Sequence, residues 1–110
     1  MGLGFIERMR ATSAAERWVS HVKFPGVSLE SANEASKLLV QTFVRGWTSN
    51  VESETLGVRA VFIAFSSGFV ASLPSEVRDH PEITHTMKGL ETAFYAGWGA
   101  SARRRLGVRL

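Results

Sequence analysis

The sequence predicts an all-α protein, a small helical bundle of about four to five helices in one domain. Three observations lead there. Apolar residues recur at three- and four-residue spacing, which places them along one side of a helix. No stretch alternates strongly between apolar and polar residues and ends in a hairpin turn, as paired strands would. The third observation is a helical pattern that occurs three times. Lys37-x-Leu39-x-x-x-Phe43-x-x-Gly46-Trp47 is followed by Arg59-x-Val61-x-x-x-Phe65-x-x-Gly68-Phe69 and by Lys88-x-Leu90-x-x-x-Phe94-x-x-Gly97-Trp98. At about 100° per residue the Leu or Val, the Phe, the Gly and the last aromatic share one stripe, with the base opposite. The copies are 22 and 29 residues apart, too unequal for a regular solenoid. A glycine within each stripe removes a side chain, so a neighbouring helix can approach beside the aromatic ring. The chain has 110 residues, the size at which a single core stabilises one domain.

The elements follow in order. Phe5, Ile6 and Met9 have helical spacing and form either an N-terminal arm, within residues 1–12, or a first turn of helix. Ser13-Ala-Ala-Glu16 has the spacing of a capping box with Ser13 as N-cap, and predicts a helix carrying Trp18, Val19 and Val22. That helix stops before Pro25-Gly26. Ser28 and Ser31 both offer N-caps to the next, and Ser31-x-x-Glu34 is again a box. It runs from about Leu29 to Trp47 and ends at Thr48-Ser49-Asn50. A third helix begins near Glu52–Thr55 and continues to about Ala71. Strand over residues 58–65 is its rival, because Val58, Val61, Phe62 and Ile63 are β-formers. This helix is apolar nearly all round and is expected to be buried on several sides. In so small a domain a homodimer would complete its cover, and a homodimer is predicted. Leu73-Pro74-Ser75-Glu76 reads as a short helix with Pro in its first turn. His80-Pro81-Glu82 opens the last helix, which continues to Arg105, with Asp79 or His80 as cap and Glu82 near its positive end.

Composition removes several classes of function. Without cysteine there is no disulfide framework, thiol nucleophile or thiolate metal site. Glu7 and Arg8 interrupt the start, no apolar run marks a secretory signal, and a cytoplasmic location is expected. The longest uncharged run, Ala60 to Ser75, is shorter than the roughly 18–20 residues a membrane span needs. Lys and Arg number 13 against 10 Asp and Glu, a net charge of +3. Without Arg103, Arg104, Arg105 and Arg109 the remainder holds nine basic and ten acidic residues. The basic excess therefore sits in the tail over residues 103–110, whereas nucleic-acid-binding domains spread it over a face.

Catalytic and metal chemistry find few candidates. Asp79, His80, Glu82 and His85 crowd together, but the two histidines are five apart with Pro81 between, unlike the four-residue spacing of a helical zinc pair. No serine stands in G-x-S-x-G or S-x-x-K, and no phosphate-cradling glycine loop follows a strand. No catalytic residue, metal or cofactor is expected, and the chain reads as a non-enzyme. Arg103, Arg104 and Arg105 either complement the negative end of the last helix or touch phosphates or an acidic partner. That second use gives an alternative function, a small nucleic-acid-associated protein. A helix-turn-helix over Leu73–Leu90 would hold only Lys88 as a base in its recognition helix. Phe5, Ile6 and Met9 make one apolar edge that either packs back on the core or docks in a partner's groove. They are the first candidates for partner binding, with Arg17 and Trp18 next; Trp47 and Trp98 read as core.

The short cysteine-free helical chain, the helices ending in Phe43-Val-Arg-Gly-Trp47 and Phe94-Tyr-Ala-Gly-Trp98, and the arginine-rich end resemble the QslA-type quorum-sensing anti-activators of pseudomonads. The resemblance runs along the whole chain and carries no signature motif, so no family binding residue transfers to a position here. It implies a non-enzymatic regulator that binds a LuxR-type transcription activator and blocks its dimerisation, and with it DNA binding.

Overall fold

The computed structural model describes residues 2–52 and 56–106. Five helices account for about four-fifths of them: α1 (Gly2–Val19), α2 (Leu29–Glu52), α3 (Val58–Ala71), α4 (Ser75–Arg78) and α5 (Ile83–Arg105). No strand occurs among the described residues, so the β-formers at 58–65 lie in helix.

Ser13 is no N-cap; it lies in the middle of α1, which begins upstream and takes in Phe5, Ile6 and Met9. Nothing between Met9 and Ser13 breaks a helix, and Ala11 and Ala15, on one side of that turn, are fully buried. The helix also ends earlier than the sequence suggests, at Val19, leaving Val22 in the connection. That connection closes as a β-turn at Phe24-Pro25-Gly26-Val27, with the Val27 amide donating to the Phe24 carbonyl at 3.3 Å. Proline in the second position presets φ, and Gly26 supplies the φ of +73° that the third requires.

Of the two serines offered as caps, Ser28 is the one used. Its hydroxyl oxygen accepts the Ser31 amide at 3.2 Å while its carbonyl accepts the Ala32 amide at 2.9 Å. At the other end α2 does not stop at Thr48-Ser49-Asn50. Ser49 and Asn50 are buried within a helix that continues to Glu52, so tertiary burial outweighs their turn preference. The expected start of α3 at 52–55 partly falls outside the described residues; the helix itself starts at Val58. For α4, the Val77 and Arg78 amides bond to the Pro74 carbonyl at 3.1 and 2.9 Å, so Pro74 stands just before the helix. Neither Asp79 nor His80 occupies the N-cap of α5, which is Glu82; its amide donates to His80 Nδ1 at 3.1 Å.

The core is centred on α2 and α5, which run parallel: Ala35, Leu38 and Leu39 in the first half of α2 border the same groove as His85, Thr86 and Gly89 in the first half of α5. Leu90, Ala93 and Phe94 of α5 and Thr42 and Phe43 of α2 are almost wholly buried. Two glycines bring the helices together. A Cβ added at Gly46 would collide with the backbone of Phe94, and one added at Gly97 would collide with the backbone of Phe43. α1 lies on this pair through Ala11 and Ala15, which meet Phe43 and Trp47 in one buried cluster.

The third helix departs furthest from expectation. It is not a centrally buried element: Phe62 is its one buried residue, and Ile63 is 51% exposed. α3 is fastened to α5 by aromatic rings instead. Phe62 and Phe65 stand 5.3 and 5.4 Å from the Phe94 ring, and Phe62 stands 5.9 Å from Tyr95.

Candidate functional site

α1 has two faces of different character. Inward lie Ala11, Ala15 and half-buried Ala14 and Trp18, with the Trp18 ring 5.6 Å from Phe43. Glu7 belongs to this side as well. Its carboxylate Oε2 accepts the indole N–H of buried Trp47 at 2.8 Å, and Oε1 pairs with Arg10 at 3.4 Å. Small alanines let α1 sit close to its neighbours, and the Glu7–Trp47 bond fixes its rotation.

Outward, on the opposite side of the cylinder, stand Phe5, Ile6 and Met9, exposed by 66, 45 and 56%. Since inward burial is taken up by alanines and Trp18, α1 docks without using Phe5, Ile6 or Met9. The first three candidate residues therefore form one continuous apolar ridge. Arg8 and Arg17 are exposed on the same helix and Arg10 is half held by Glu7, so three arginines flank the ridge, with Glu16 the exposed acid on its own side. Trp18 is not part of it; its ring is occupied by Phe43.

The other candidates are scattered. Arg103, Arg104 and Arg105 are exposed in the last turn of α5. Consecutive residues are separated by about 100°, so the three fan around the helix end and do not form a stripe. Arg103 folds back beside Gly99. Arg109 lies outside the described residues. Of the tryptophans read as core, Trp47 is buried, and Trp98 is half-buried with its ring 6.4 Å from Phe94. Asp79, His80, Glu82 and His85 are all exposed. His80 borders a groove with Leu73 and Val77, whereas His85 borders another with Val27 and Leu39. Among the described residues no three of His, Cys, Asp and Glu gather closely enough to hold a metal ion.

Sequence reasoning missed two structural residues. Glu7 was legible only as a charge, although its seven- to eleven-residue phase with Ala14, Ala15 and Trp18 puts it on the inward stripe. Asn50, read as a stop, is buried, and its Oδ1 lacks a hydrogen-bond partner among the described residues.

No helix described is long and apolar enough to cross a membrane. No protein-family model matches this chain, and no curated protein or solved structure matches it either.

Proposed function

We propose that this chain is a non-enzymatic regulatory protein that acts by protein–protein contact through the outward ridge of α1. The observation that carries this reading is the exposure of Phe5, Ile6 and Met9 together on one helical face, while alanines on the other face do the packing. Large apolar side chains at this spacing are the anchors with which a helix enters a partner's groove. A few such anchors supply most of the binding energy of an interface. The basic rim of Arg8, Arg10 and Arg17 favours an apolar groove with acidic edges, which would steer the encounter. The resemblance noted in the sequence suggests one partner: a LuxR-type activator, bound at the surface it needs for its own dimerisation. The ridge would compete for that surface by mass action, and the activator would release its DNA as it lost its dimer.

The test uses a LuxR-type activator from the organism that encodes the chain, bound to labelled operator DNA. Added wild-type protein should displace the DNA in a saturable, stoichiometric manner. The double variant Phe5→Ser, Met9→Ser should lose at least tenfold in potency with unchanged helicity and melting. If wild type leaves the operator complex intact, the LuxR assignment fails. If the variant competes as well as wild type, the ridge is not the site. Binding to nucleic acid itself has less support, because the fanned arginines offer no continuous basic track.

A further inference from the structure

The repeated helical pattern is longer than its Phe-x-x-Gly centre. Aligned on the phenylalanines, Leu39–Asn50, Val61–Ser72 and Leu90–Ser101 share a pattern of similar character at spaced positions across a twelve-residue span. A branched apolar residue opens each copy. A small residue precedes each Phe (Thr42, Ala64 and Ala93), and a small polar residue closes each copy (Asn50, Ser72 and Ser101). In α2 and α5 the small positions before Phe, the glycines and the closing polar residues are all buried.

The α2–α5 crossing is reciprocal. Gly46 meets the backbone of Phe94, and Gly97 meets the backbone of Phe43. Two copies of one pattern are thus paired side by side and parallel about a local two-fold axis, with Leu39 beside Gly89 towards the start of both helices. Self-complementarity of this kind is what an isologous interface between identical molecules requires.

Among the described residues the third copy has no such partner. Ala64, Gly68 and Ser72 are exposed, and a Cβ placed on Gly68 meets nothing within 4 Å among the described residues. The ring of Phe65 does not cover its own glycine. It lies to the side, on Phe94, just as the Phe43 ring lies to the side on Trp18. The flank of the pattern is occupied, and its crossing face is left open. Residues 60–75 carry no charge, so a two-fold axis through this face would set no like charges against each other.

We propose that a second copy of this chain docks on α3. The two α3 helices run parallel, with Gly68 of each against the Phe65 backbone of the other, repeating between molecules the crossing that α2 and α5 make within one. Ala64, Gly68 and Ser72 of each copy then line the axis against the same residues of the other. This inference does not depend on the function assigned to α1.

Sedimentation equilibrium of the full chain tests it, over concentrations up to millimolar. Wild type should show a reversible monomer–dimer equilibrium. Gly68→Leu places its side chain in open space in the monomer and inside the second helix in the dimer, so it should weaken association at least tenfold without loss of helicity. Ala64→Arg, also exposed in the monomer, should do the same and serves if the leucine variant fails to fold. Thr92→Leu adds apolar bulk on an exposed part of α5 and should leave the dimer intact. A wild type that stays monomeric throughout overturns the proposal, as does a dimer that survives both α3 variants.

Discussion

At the scale of single residues, three glycines of similar sequence context have different physical roles. Gly46 and Gly97 sit where two backbones touch, so a methyl group there has nowhere to go. Gly89, also within α5, has only a Leu39 methyl at 4.0 Å from an added Cβ, an ordinary contact. Alanine should therefore act with opposite sign at these sites. Gly46→Ala or Gly97→Ala is expected to destabilise by about 1–3 kcal/mol or more through overpacking against rigid backbone. Gly89→Ala should stabilise by about 0.5–1 kcal/mol, the helix-propensity difference. Urea unfolding followed by circular dichroism measures all three, and a stabilising Gly97→Ala would mean that the two helices do not cross there. Glu7 gives a second contrast. Removing its carboxylate leaves the buried Trp47 N–H without an acceptor, so Glu7→Ala should cost about 1–3 kcal/mol. Its exposed partner behaves differently: Arg10→Ala should change stability by less than about 1 kcal/mol. Equal losses for the two variants would show the ion pair, and not the indole bond, to be what fixes α1.

At the scale of elements, the caps show where sequence reading succeeds and where it fails. Ser28 and Ser13 both precede a plausible helix, yet only Ser28 follows a true break, the Pro25-Gly26 turn, and only it receives an amide. Ser13 follows residues that already favour helix, and the burial of Ala11 carries α1 straight through it. Ser28→Ala is accordingly expected to lower stability by about 0.5–2 kcal/mol, whereas Ser13→Ala should be neutral or slightly stabilising. Thermal melting distinguishes them, and a larger loss at Ser13 would place a helix start there after all. Helix number, type and order were legible because apolar periodicity is a property of the chain itself. The ends were less so, since burial of Ser49 and Asn50 depends on packing that the residues around them do not reveal. The place of α3 was legible least of all. An apolar helix reads as buried, but periodicity cannot say whether the covering surface belongs to the same molecule.

At the scale of the whole molecule, the two paired copies of the pattern make the core and the exposed third makes a face, while α1 presents its ridge on the side turned away from that core. The apolar ridge was legible as three residues at helical spacing. Its outward direction was not, because nothing in Phe5, Ile6 and Met9 announces that alanines would take the inward side. If both proposed surfaces operate, they are separable. A dimer through α3 carries two ridges, so a two-sited target should be held by both, and the second contact becomes intramolecular. Gly68→Leu should then lower apparent affinity for an immobilised, densely coupled target by about 10²-fold or more through lost avidity. On a sparse, monovalent target surface the same variant should bind like wild type, because each ridge is intact. Phe5→Ser with Met9→Ser should abolish binding on both surfaces and leave the sedimentation equilibrium untouched. Surface plasmon resonance at two coupling densities reads the distinction directly. A Gly68→Leu chain that loses binding equally at both densities would mean that α3 itself touches the target, and the division of labour between the two helices would be wrong.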